Sequence, residues 1–102
     1  MSRREQVQAK ARAASLLKEY EKYVQQLLDS TARERGYDSI ISLISYKGST
    51  NTKWDAEATV GLKWRDDCWN ESLVQMGNYL ATGVQPTKEE FLAAMPTPNW
   101  PE

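Results

Sequence analysis

All four prolines, Pro86, Pro96, Pro98 and Pro101, fall within the last 17 residues of a 102-residue chain. Proline fixes φ and lacks the amide that an interior helix position must donate, so it interrupts helices wherever it falls. Everything before Pro86 is therefore free to run as long helices, and everything after it is held to short helical turns and extended chain. A chain of this length makes one domain with one core. No apolar run approaches the ~18 residues of a membrane span. The start, Met1-Ser2-Arg3-Arg4-Glu5-Gln6, does not lead into the apolar core of a signal peptide. The expectation is a soluble protein of a reducing compartment, touching no membrane.

From about Glu5 to Arg35 there is no Gly or Pro, and Ala13, Leu16, Leu17, Tyr20, Val24, Leu27, Leu28 and Thr31 recur at helical spacings of three and four. This spacing predicts an amphipathic helix with an apolar stripe wider than a coiled-coil seam. The first dozen residues add only Val7, Ala9 and Ala11 to that face, so residues 1–12 are expected to project or fray. Gly36 is the natural stop, with Arg33 and Arg35 placed where positive charge suits the helix dipole. Asp38 or Ser39 can cap a second short segment, residues 40–46. Its apolar positions 40, 41, 43 and 44 favour a buried helix, with a strand as the alternative because of the β-branched isoleucines. Residues 47–52 read as a polar loop that ends in a cap at Asn51 or Thr52.

The third segment, about Lys53 to Thr82, places Trp54, Ala58, Leu62, Arg65, Trp69, Leu73, Met76 and Leu80 on one predicted helical face, and Gly83 ends it. Gly61 lies near that face, as a close helix crossing would require, whereas Gly77 projects away from it without an evident reason. Thr87-Lys88-Glu89-Glu90 is a capping box ahead of Phe91, Leu92 and Met95. The short helix it starts must end before Pro96. Residues 96–102 form an extended tail with Trp100 available as a plug.

Chemistry is constrained by what is missing. There is no histidine, which removes the commonest general base and zinc ligand. The single cysteine excludes an internal disulfide or a multi-cysteine metal site. Cys68, beside two aspartates and without a base, reads as a buried, inert thiol. Asp66 and Asp67 diverge by about 100° on a helix, so they cannot face each other as an acid–base pair. Ser45-Tyr46-Lys47-Gly48-Ser49-Thr50 lacks the frame of a phosphate loop and reads as a turn. The expectation is a protein without catalysis, cofactor or metal.

Binding features are present. Four tryptophans and five tyrosines stand against one phenylalanine, a composition suited to core or interface anchors. Charge is also split: residues 1–35 carry eight basic and five acidic side chains, residues 36–102 five and nine, around a total of −1. Neutrality overall argues against nucleic acid as the partner. On the predicted wheel Arg65 falls near the stripe centre, four residues before Trp69. There it either bridges helices, pairing with Asp38, Glu34 or a carbonyl, or grips a partner. Trp64 points about 80° away from that centre. It is either covered by the tail and first helix or serves as an interface anchor.

Taken in order, Ala32-Arg33-Glu34-Arg35-Gly36-Tyr37-Asp38-Ser39-Ile40, Ser45-Tyr46, Glu57-Ala58, Trp64-Arg65-Asp66-Asp67-Cys68-Trp69 and Pro96-Thr97-Pro98-Asn99-Trp100-Pro101 resemble small phage and prophage proteins encoded beside tail-fibre genes. Such proteins are described as tail-fibre assembly proteins or chaperones. The resemblance spans roughly residues 27–101. It implies a helical, non-catalytic protein that binds a phage tail-fibre or other tail protein in the host cytoplasm during assembly. A structural tail or baseplate component, retained in the virion and forming a homo-oligomer through its first helix, is the alternative. The whole reading is an all-α domain, residues 1–102. Its long first and third helices pack antiparallel, with a short second helix, a short C-terminal helix and an extended Pro/Trp tail. Trp64, Arg65, Trp69 and Trp100, with Tyr37 and Tyr46, are the candidate partner-binding residues.

Overall fold

A computed structural model describes residues 2–101, with the side chains of residues 9–11 and 13 outside the description. The described residues form helices α1 (Arg3–Glu34), α2 (Ile40–Ile44), α3 (Thr52–Thr82) and α4 (Lys88–Ala93), with no strand among them. The all-α expectation holds, and the segment at residues 40–46 resolves to a helix rather than a strand. The long helices α1 and α3 lie antiparallel and give a rod with extents of 60 × 19 × 18 Å.

Local chemistry starts and stops each helix. Ser2 caps α1 by accepting from the Glu5 amide. At the other end Gly36 adopts φ 91°, which costs a glycine nothing. The Gly36 amide donates to the Arg33 carbonyl and the Tyr37 amide to that of Ala32, the paired bonds of a Schellman stop. Ser39 caps α2, whose first amide, at Ile40, also donates to Asp29 Oδ1 of α1 at 3.0 Å. Asn51 caps α3 by accepting from Lys53 and Trp54, and Gly83 closes it in the left-handed region. The capping box opening α4 has both bonds: Glu90 N to Thr87 Oγ1, and Thr87 N to Glu90 Oε1, each 3.1 Å. The Thr87 amide donating to the carboxylate, and after it the Thr87 hydroxyl, hold the Glu90 carboxyl below its ordinary pKa.

On α1 the predicted stripe is the buried face. Tyr20, Val24, Leu28 and Ala32 are buried at successive four-residue steps, and Leu16, Leu17, Tyr23 and Leu27 pack beside them. Val7 is exposed; the expected contributions of Ala9, Ala11 and Ala13 lie outside the described residues. Residues 3–8 and Arg12 are helical and exposed.

On α3 the predicted stripe is displaced. The buried residues are Glu57, Ala58, Gly61, Trp64, Cys68, Ser72 and Met76, a face rotated by roughly 70° from the expected one at 100° per residue. Trp64, off the expected stripe, is 3 % exposed, which favours the alternative in which the tail and first helix cover it. Arg65, expected at the stripe centre, sits on the flank with its guanidinium 2.9 Å from the neighbouring Asp66 carboxylate, not on Asp38 or Glu34. Trp69 is half-buried, while Trp54, Leu73 and Leu80 are exposed.

The reason for the rotation is what α3 must pack against. At Gly61 a methyl group would stand 2.6 Å from Leu43 Cδ2, so the buried Leu43 side chain of α2 packs directly over this position and would have to shift to admit a side chain there. At Trp64 the indole N–H donates to the Pro96 carbonyl at 2.6 Å, so the ring is buried with its one polar atom satisfied. Leu73 and Leu80 are apolar but have no such neighbour. Burial follows the available partners and not side-chain hydropathy alone.

The chain after α3 folds back onto α1. The Tyr20 hydroxyl donates to the Pro86 carbonyl, and the Tyr20 ring packs on Phe91 with centroids 4.6 Å apart. Lys88 lies over the Tyr23 ring at 4.9 Å. The capping box and this aromatic pair set the direction in which residues 96–101 leave α4.

Candidate functional site

The Schellman turn that ends α1 brings Arg35 and Tyr37 to the same end of the rod as α2, the start of α3 and the tail. There they organise a linked series of charged and aromatic groups. The Arg35 guanidinium lies 4.7 Å from the centroid of the Trp100 ring. Its Nε is 3.5 Å from Glu57 Oε2, and the Tyr37 hydroxyl donates to Glu57 Oε1 at 3.3 Å. Tyr37 packs on Tyr46 with centroids 5.6 Å apart, and Tyr46 on Trp54 at 5.4 Å.

Glu57 is the pivot of this end. It is 4 % exposed, and a buried carboxylate without partners would cost several kcal/mol (order of magnitude). Arg35 and Tyr37 supply those partners, and no buried side-chain N or O among the described residues is left without one. Burial, then the nearby Glu57 charge, raises the Tyr37 pKa, so the phenol stays protonated as a donor. The outer members of the series are open to solvent: Tyr46 is 37 % exposed and Trp54 45 %. Ile41, on neighbouring α2, is 76 % exposed.

The tail runs beside this cluster. Pro96 is fixed by Trp64 Nε1, and the Cys68 thiol points at the same carbonyl at 3.9 Å. Trp100 is fixed by packing on the core and by Arg35. Between these two anchors the tail passes over two cavities. One, of about 310 Å³, is lined by Leu27, Thr31, Trp64, Leu92, Met95 and Trp100. The other, of about 380 Å³, is lined by Val60, Lys63, Trp64 and Pro98 among others.

The six candidate residues thus divide. Trp64 and Trp100 line one cavity, and Tyr37 and Tyr46 join Trp100 through Arg35 and Glu57. Arg65 and Trp69 do not belong to this group. Trp69 instead lines a shallow cleft with Lys18, Lys22 and Gln25 of α1.

Three members were not selected from sequence: Arg35, Glu57 and Trp54. Glu57 carried a signal, because it precedes Trp64 by seven residues and so shares its helical face. Cys68 is buried, and desolvation, with a smaller contribution from Asp67, pushes its thiol up to about 12. At neutral pH it is a thiol and not a nucleophile.

Among the described residues, no group of three or more His, Cys, Asp or Glu side chains is placed to hold a metal ion. No helix there is long and apolar enough to cross a membrane. Comparison of the chain with protein-family models, with curated proteins and with solved structures returns no match.

Proposed function

We propose that this protein is a non-catalytic assembly factor that binds a phage tail-fibre or other tail protein in the host cytoplasm. The observation that carries the reading is the Tyr46–Trp54 pair, two aromatic rings open to solvent and braced from behind by Tyr37, Glu57 and Arg35. Aromatic anchors on a rigid support are what protein interfaces concentrate, since they bring contact area at small entropic cost. The choice of a tail fibre as the client rests on the resemblance of the ordered sequence motifs to tail-fibre assembly proteins. A factor of this kind covers apolar surface or unpaired strand edges of the fibre until it trimerises.

The test is co-expression with a phage tail-fibre protein, whose gene this reading expects beside this one. Soluble trimer is expected with the wild-type chain, and a substantially lower yield with Tyr46→Ala and Trp54→Ala combined. Fibre that trimerises and stays soluble equally well without this protein defeats the reading.

A second reading has its own support in the exposed start of α1. Residues 3–8 and Arg12 are exposed on a continuous helix, which suits an oligomerising segment of a component retained in the virion. A stoichiometric band in purified particles favours this reading, and absence from particles favours the transient factor.

A further inference from the structure

We propose that residues 96–101 are a displaceable strap occupying in cis a groove that takes an extended segment of the client protein, one with proline and tryptophan in the pattern Pro-x-Pro-x-Trp. This deepens the binding-module reading at the same end of the molecule.

The strap is itself the description of the ligand. It lies extended, its leading proline carbonyl accepts from the Trp64 indole, and its tryptophan sits beneath the Arg35 guanidinium. Docking of an extended proline-rich peptide on an aromatic side chain is a general recognition mode, and Trp64 is the aromatic side chain that lines this groove. No backbone hydrogen bond ties residues 97–101 to the helices. Two cavities, each lined by Trp64 and by strap residues, interrupt its packing, so its hold rests chiefly on the two anchors. Lifting it uncovers Trp64, Leu92 and Met95, which line the cavity beneath it.

The occupant is a client and not the tail of a second copy. The strap competes at an intramolecular effective concentration of about millimolar. An identical tail on another copy has no advantage with which to overcome this. A client that also engages the exposed Tyr46–Trp54 pair does, because the second contact adds to the first.

The experiment titrates a fluorescent peptide of sequence Met-Pro-Thr-Pro-Asn-Trp-Pro-Glu into the full chain and into full-length Trp100→Ala. The variant, with its strap weakened, is expected to bind at least ten-fold more tightly than wild type, and a peptide with Trp replaced by Ala is expected to bind neither. Equal or absent binding to both chains, with the variant folded by circular dichroism, overturns the proposal. So does a concentration-dependent dimer of the wild-type chain that the peptide dissociates, since that makes a second copy the occupant.

Should Trp100→Ala fail to fold, indole hydrogen exchange in the wild-type chain decides. The Trp64 N–H is expected to exchange at least 100-fold faster than the Leu28 amide; exchange of both at one rate makes the strap part of the core and overturns the proposal. The titration uses no fibre. Peptide binding without any effect on fibre assembly would keep the strap and reject the fibre reading, and the reverse result would do the opposite.

Discussion

Helices α1 and α3 are of nearly equal length, 32 and 31 residues, yet they bury their faces by different rules. On α1, position and hydropathy agree: Tyr20, Val24, Leu28 and Ala32 form the face that any helical wheel would choose. On α3 the buried face contains a glutamate, a serine, a glycine and a cysteine, while Leu73, Val74 and Leu80 stay in solvent. The difference comes from the kind of neighbour and not from their number, since α1 itself meets α2, α3 and α4. The buried face of α1 can be apolar throughout because its main surroundings are other apolar side chains. Helix α3 meets α1, the close crossing of α2 and the carbonyls of the tail, and each imposes its own requirement. Gly61 answers the crossing, Trp64 the Pro96 carbonyl, and Glu57 the Arg35–Tyr37 pair.

The sharpest way to break this contrast is to compare two tryptophans five residues apart. Trp64→Ala is expected to destabilise by about 3–5 kcal/mol, the cost of emptying a buried tryptophan site. Trp69→Ala, at a half-buried position, should cost about 1–2 kcal/mol in proportion to the apolar area it covers. Denaturant melts giving the reverse order would restore the face expected from hydropathy.

Next in size is a pair of leucines. Leu28→Ala should cost about 3 kcal/mol, whereas Leu73→Ala, 72 % exposed in the wild type, should stay within about 0.5 kcal/mol. A large loss at Leu73 would mean that the outer face of α3 carries a structural contact.

The buried thiol gives a pH test of the same face. Because the folded-state pKa of Cys68 is raised from 9.0 to about 12, the unfolded chain releases this proton first as pH rises. Its contribution to stability is therefore full below pH 9 and is lost between about 9 and 12, at no more than about 1.4 kcal/mol per pH unit. Cys68→Ala should remove that slope relative to wild type in paired urea melts, whereas matching slopes would place the thiol in water.

The smallest expected effect has the opposite sign. Gly77 is helical, and a methyl group there would meet nothing within 4 Å. Gly77→Ala should stabilise by about 0.4–1 kcal/mol. A loss of stability on thermal melting would place a neighbour on this outer surface.

Legibility in the sequence followed the range of the interactions. The helix stops at Gly36 and Gly83 and the capping box at Thr87–Glu90 were readable, because each depends on residues close in sequence. The buried face of α1 was readable because its hydropathy is unambiguous. Tyr37, Tyr46, Trp64 and Trp100 were identifiable as aromatic candidates, but their grouping was not. Arg35 joins Glu57 from 22 positions away and Trp100 from 65 away, and no local period encodes such pairs. Arg65 and Trp69 drew attention through a helical wheel centred on hydropathy, and α3 does not obey that wheel.

The sequence by itself determined an all-α chain with long helices before Pro86 and an extended end after Pro96, because proline placement and capping chemistry act locally. Only the tertiary structure decided which side of α3 faces inward, that Glu57 is paired at the core, and that the tail seals Trp64. Those outcomes rest on satisfying buried polar atoms and on fitting side chains such as Leu43 against a facing helix. Both depend on what lies across the interface and not on what lies next in the chain.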